Sequence, residues 1–123
     1  MAIALSACGP SVPLTPAERG RIVYVTVCMA CHNINPNLAG TKGPPIAGSS
    51  RELVLDRVLY LKYPPGYKPQ RNTKNMRAQP QLRNKIDDLV AFLAEAKAQH
   101  DGKLPSPAAG QVSLTPASGV KSK

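Results

Sequence analysis

The stretch Cys28-Met29-Ala30-Cys31-His32 decides how the rest of this 123-residue chain is read. Two cysteines three apart in one turn of helix point to the same side, so both thiols can add to the vinyl groups of a single porphyrin. The histidine that follows is placed to send an imidazole nitrogen to the iron as its proximal ligand. The string therefore reads as a covalent haem-attachment site, with Cys28, Cys31 and His32 holding the cofactor. Two other readings of C-x-x-C exist. A thioredoxin-like motif wants a βαβ setting, and a closed zinc site wants four ligands. Beyond the motif the chain offers Cys8 and His100, and neither belongs to a second C-x-x-C or H-x-x-x-H pattern.

Composition bears on the same question. The chain has no Trp, one Phe and four Tyr, which is thin material for a core. Chains this small often need a staple. A covalently held macrocycle would supply both the staple and much of the missing aromatic volume. The length suits one small domain with tails. The boundaries read as a tether over 1–14, a domain over 15–100 and a Pro/Ser/Gly-rich disordered tail over 101–123.

Upstream of the motif, Thr15-Pro16-Ala17-Glu18 announces a helix. Thr15 can cap it, Pro16 suits the first helical position, and Glu18 completes a capping box. The helix is expected over Pro16 to Cys28, although the β-branched run from Ile22 to Val27 is poor helix chemistry. Downstream, 33–42 reads as a loop rich in Asn, Gly and Pro. Ser49-Ser50-Arg51-Glu52 repeats the capping-box logic, and a second helix is expected over Leu53 to Lys62. Its apolar face is Val54, Val58 and Leu61, flanked by Leu55 and Leu59. Tyr63-Pro64-Pro65-Gly66-Tyr67 breaks that helix, and irregular chain runs on to Pro80. Leu82, Ile86, Leu89, Val90 and Leu93 then recur at helical spacing and predict a third helix from Leu82 to about Gln99, ended by Asp101-Gly102.

With these elements placed, the chain resembles the class I monohaem cytochromes c over about Thr15 to Gln99. The matching residues are Gly20 and Tyr24 ahead of Cys28, the haem motif, Gly43-Pro44-Pro45-Ile46, Met76, and Leu89 with Phe92 on the last helix. The resemblance implies an all-α fold in which the N- and C-terminal helices cross at Gly20. A middle helix and loops would wrap one covalently bound haem c. It also implies that the Pro44 carbonyl accepts a hydrogen bond from His32 Nδ1, fixing the ring and raising its basicity.

Met76 is the candidate sixth ligand, so the metal ligands would be His32 and Met76. Met1 is remote, and Met29 lies inside the attachment turn. In the family the ligand methionine occupies the loop before the C-terminal helix. A thioether is neutral and soft, and it favours the ferrous state. The family often has proline directly after that methionine. Here Arg77 follows, and proline appears only at Pro80.

Leu5-Ser6-Ala7-Cys8 looks like a bacterial lipoprotein processing site, in which the cysteine carries diacylglycerol. Residues 1–7 are shorter than an apolar signal core and lack a positive lead. Cys8 is thus either a lipid attachment point or a free thiol. No stretch approaches the roughly 20 apolar residues that spanning requires. The implied location is the periplasmic side of a bacterial membrane, lipid-anchored.

The formal net charge is +9, and from Lys62 to Lys85 there is no acidic residue. Lys62, Lys68, Arg71, Lys74 and Arg77 bracket Met76 and read as a docking patch for a redox partner with an acidic surface. A generic solvated surface is the plainer reading. No nucleic-acid motif is present. Together these features predict a one-electron carrier between membrane redox complexes, without a catalytic residue or a small-molecule substrate. The alternatives are a permanent relay subunit of a respiratory or photosynthetic complex, or a haem enzyme or sensor if Met76 is off the iron.

Overall fold

Thr15 starts the first helix as the sequence anticipates. In the computed structural model, which describes residues 9, 12–71 and 74–104, its hydroxyl accepts from the Glu18 amide at 3.2 Å. The Glu18 carboxylate accepts from the Thr15 amide at 2.7 Å, closing the capping box. The Thr15 amide first, and then the Thr15 hydroxyl, hold the Glu18 carboxyl below its usual range. Helix α1 spans Pro16–Val23.

The α-helical ladder ends there, earlier than the expected Cys28. Tyr24–Cys28 form a π-helical turn, in which the Met29 amide reaches back five residues to the Tyr24 carbonyl at 2.9 Å. Thr26 Oγ1 donates to the Ile22 carbonyl at 2.8 Å, a local bond that competes with the regular ladder. This is where the β-branched run tells.

Helix α2 spans Arg51–Tyr60, two residues earlier at each end than the apolar pattern suggests. Ser50 is its N-cap and accepts from the Leu53 amide at 3.2 Å. Leu53 rather than Glu52 therefore occupies the third helical position, and the second capping box does not form. Leu61 closes the helix in the left-handed region, at φ 57°. It is 40% exposed, so it belongs to the cap and not to the buried face expected for it.

The third helix begins two residues before the expected Leu82, and its opening turn is not α. Pro80–Lys85 is a 3-10 segment, and helix α3 runs Ile86–His100. Proline at the start fixes φ and has no amide to donate. At the far end Gly102 takes φ 75°, and the Lys103 amide returns to the Ala98 carbonyl at 2.8 Å. The described residues are thus all-α, with no strand. Among them no helix is long and apolar enough to cross a membrane.

Helices α1 and α3 cross at Gly20. A methyl group there would overlap the Asp88 carbonyl and crowd Phe92 Cβ, so only a bare backbone permits this approach. Arg19 then forks the Asp88 carboxylate, with Nε and Nη2 at 3.0 and 2.8 Å, and holds its pKa down. Beneath the crossing Tyr24 is fully buried, its ring 5.2 Å from Phe92 between centroids. Its hydroxyl donates to the Asn33 carbonyl, and burial raises the phenol's pKa. Ile86, Leu89 and Leu93 complete the core with Val54, Val58 and Leu59 of α2. Each of these fully buried aliphatic side chains contributes about 1.5–3 kcal/mol of transfer free energy.

Cys8, and residues 105–123 of the expected tail, lie outside the described residues.

Candidate cofactor site

A cavity of about 340 Å³ opens between the end of the π turn, α2, α3 and the loop before the 3-10 segment. Its lining is mostly apolar and includes Val27, Val54, Val58, Leu82, Leu89 and Leu93. Five residues singled out from sequence share it: Cys28, Cys31, His32, Pro44 and Met76 all line this one cavity.

The near wall is built on backbone. The His32 and Cys31 amides return to the Cys28 carbonyl at 3.0 and 3.2 Å, tightening the motif into one turn. The chain then doubles back, and the amides of Lys42 and Gly43 both donate to the Cys31 carbonyl, at 3.1 and 2.9 Å. That brings the Gly43 backbone flat against the imidazole. A Cβ at Gly43 would collide with His32 Nδ1 and Cε1.

His32 Nδ1 lies 3.1 Å from the Pro44 carbonyl. A carbonyl only accepts, so Nδ1 carries the proton and Nε2 keeps its lone pair. Burial lowers the His32 pKa; the Pro44 acceptor opposes this, and the Arg71 charge adds to it. The ring is therefore neutral at pH 7, the state a metal ligand needs.

Burial pushes the Cys28 thiol up to about 11, with Cys31 reinforcing the shift. Reactive C-x-x-C thiols have the opposite property, a depressed pKa. Cys28 also sits at the carboxyl end of its helix, where the dipole disfavours a thiolate. Among the described residues no group of three or more His, Cys, Asp or Glu side chains could hold a metal ion between them. His100 stands at the end of α3, beside Asp101 at 3.4 Å, and does not line the cavity.

The far wall is built on side chains. Met76 is half-buried and packs against the hydrophobic core. Arg57 on α2 points Nη2 at Met76 Sδ, 3.8 Å away, and donates Nη1 to the Leu61 carbonyl at 2.6 Å. The same guanidinium lies 4.2 Å from the Tyr63 ring centroid, and Tyr63 stacks on Tyr67 at 5.4 Å. Gln70 donates to the Pro45 carbonyl and Arg71 to the Gly40 carbonyl, each at 3.2 Å. Thus Arg71 is half-buried and turned into the cavity wall, while Lys62, Lys68, Lys74 and Arg77 are exposed.

Sequence reasoning passed over Arg57. The signal was available, because positions 54, 57 and 61 follow helical spacing and place an arginine on the face that carries Val54. Tyr63 and Tyr67, which flank the helix-breaking Pro64-Pro65-Gly66, also line the cavity.

The chain matches no protein-family model, no curated protein and no solved structure.

Proposed function

We propose that this protein is a single-haem electron carrier of the class I cytochrome c type. One observation carries the reading: the two thiols, the neutral imidazole and one thioether all line a single, largely apolar cavity. The residues fit the group. Gly43 leaves room for the imidazole with no Cβ against it, and the Pro44 carbonyl orients Nε2 as the free donor.

In this reading Cys28 and Cys31 would hold the macrocycle through thioether bonds, and His32 and Met76 would hold its iron. The bound haem supplies an iron that gains and loses one electron. The Pro44 carbonyl fixes the plane of the His32 ring and leaves Nε2 aimed away from it as the ligand atom. Leu82, Leu89 and Leu93 exclude water from the buried side, lowering the local dielectric. With His32 and Met76 both committed to the iron, no position would be left for a substrate. The function is therefore transfer of electrons and not catalysis. Exposed Lys62, Lys68, Lys74 and Arg77 would steer an acidic partner toward the face near Met76. A lipid on Cys8, on the outer side of a bacterial membrane, belongs to the same proposal and rests on Leu5-Ser6-Ala7-Cys8.

The test is an optical spectrum of protein produced in a host that matures c-type haem. The expected result is a low-spin c-type spectrum, with a weak far-red methionine band when oxidised. A high-spin spectrum would take Met76 off the iron and favour an enzyme or sensor. Colourless protein from a competent host would overturn the haem assignment.

A further inference from the structure

Met76 sits at the least tethered point of its wall. Among the described residues no backbone–backbone bond involves 74–78, and the chain is next fixed where the Gln79 amide donates to the Val58 carbonyl at 2.7 Å. The polar contact to the Met76 side chain comes instead from α2, where Arg57 aims Nη2 at Sδ, 3.8 Å away. Arg57 is itself held at two further points. Its Nη1 donates to the Leu61 carbonyl at 2.6 Å, at the closing turn of the helix, and its guanidinium carbon lies 4.2 Å from the Tyr63 ring centroid. Each of these partners is neutral, and among the described residues no carboxylate pairs with Arg57. A half-buried guanidinium therefore keeps its full charge beside the sulfur.

We propose that Arg57 is a positioning residue for the Met76 sulfur, setting both how firmly that sulfur is held as a ligand and the potential at which the electron is carried. The inference rests on the haem reading above. A thioether sulfur has two lone pairs and is a weak acceptor. The Arg57 N–H occupies one of them and leaves the other for a metal. Because the donor is anchored on a helix, the place of the sulfur is referred to α2 and not to the loop's own backbone. The fixed positive charge disfavours the more positive ferric state, so Arg57 raises the reduction potential.

The experiment compares the matured full chain with Arg57→Gln and Arg57→Lys in two measurements. One is a redox titration. The other is titration of the oxidised protein with imidazole, which displaces a loosely held methionine and removes its far-red band. Arg57→Gln loses both the charge and the fork. Its potential is expected to fall by about 59 mV, a tenfold change in the ferric-to-ferrous ratio. Half-displacement should come at about tenfold less imidazole, the size of one charge-assisted hydrogen bond. Arg57→Lys keeps the charge without the planar fork. Imidazole should displace its methionine as readily as in Arg57→Gln, while its potential falls by less than half as much. A lysine variant that matches the wild type in both measurements overturns the positioning role, and it decides the matter alone if Arg57→Gln does not mature. An unmoved potential in Arg57→Gln overturns the electrostatic part. Colourless wild-type protein, or one without the methionine band, overturns the haem reading and this inference together. A normal wild-type spectrum with indifferent variants overturns this inference only.

Discussion

The two walls of the cavity are made by different means. The near wall, 27–46, is sewn together by amides: Lys42 and Gly43 onto the Cys31 carbonyl, Gly40 onto Gly43, and Ile46 and Ala47 onto Pro36. The far wall, 61–79, has few such bonds among its described residues, chiefly Tyr67 onto Pro64 and Gln79 onto Val58. Its shape comes from Arg57, Gln70 and Arg71 reaching across to carbonyls. Backbone bonds fix a position regardless of side-chain identity, whereas long side chains lose rotamer freedom to do so. The wall that carries Cys28, Cys31 and His32 is thus the stiffer one. The wall that carries Met76 should tolerate single substitutions with the smaller loss of stability.

The largest break is Gly43→Ala. The new methyl meets the His32 ring, so either the imidazole or the 40–43 segment must shift, and overpacking of this kind costs about 1–3 kcal/mol. Urea unfolding of the variant would show that loss, together with a changed absorption spectrum if His32 is the proximal ligand. An unmoved midpoint and spectrum would mean that this wall is softer than its bonding suggests.

Gly66→Ala is the matched change in the far wall. Nothing lies within 4 Å of a Cβ there, and the strain is confined to its φ of 81°. The expected cost is about 1 kcal/mol, with no change in the Cys28–His32 segment. A loss as large as that of Gly43→Ala would erase the contrast between the walls.

The smallest effect is the carboxylate part of the acid sensitivity, and it should belong to the helical frame. Arg19 holds the Asp88 carboxyl below its ordinary 3.8, and Lys97 does the same for Asp101. A carboxyl depressed in the folded state adds stability above its unfolded pKa, and that stability is lost as the pH falls through the folded value. The carboxylate contribution should therefore be full above about pH 4 and decline below it, whereas His32, whose pKa burial lowers from its ordinary 6.5, adds a separate loss of stability that begins as the pH falls below that value. Far-wall residues 61–79 contain no carboxylate side chain and should add nothing to the slope. Thermal unfolding between pH 2 and 6 measures the effect, and Arg19→Leu should flatten it. An unchanged slope in that variant would assign the acid limb to other groups.

Much of this was legible in the sequence because the signals are local. The capping box Thr15–Glu18 and the periodicity of Ile86, Leu89 and Leu93 depend on residues within two turns of one another. The crossing at Gly20 and the approach of Pro44 to His32 could be anticipated only through a family likeness, since both join segments distant along the chain. What the sequence hid was side-chain direction and ladder type. The inward turn of Arg71 depends on the Gly40 carbonyl 31 positions away. The π turn at Tyr24–Cys28 and the 3-10 opening at Pro80–Lys85 reflect small differences between neighbouring hydrogen-bond choices, which propensity does not resolve.

The π turn also sets a phase. One residue more than a regular α ladder requires is accommodated between Val23 and Met29, so the chain leaves the turn rotated relative to the face that α1 presents to α3. Each residue advances a helix by about 100°. The face that carries Gly20 and the direction in which Cys28 departs are therefore two independent settings on one continuous rod. Helix crossing can be optimised without re-aiming the Cys28–His32 segment, and that segment can be re-aimed without disturbing the crossing. A rod of constant pitch would have locked the two together.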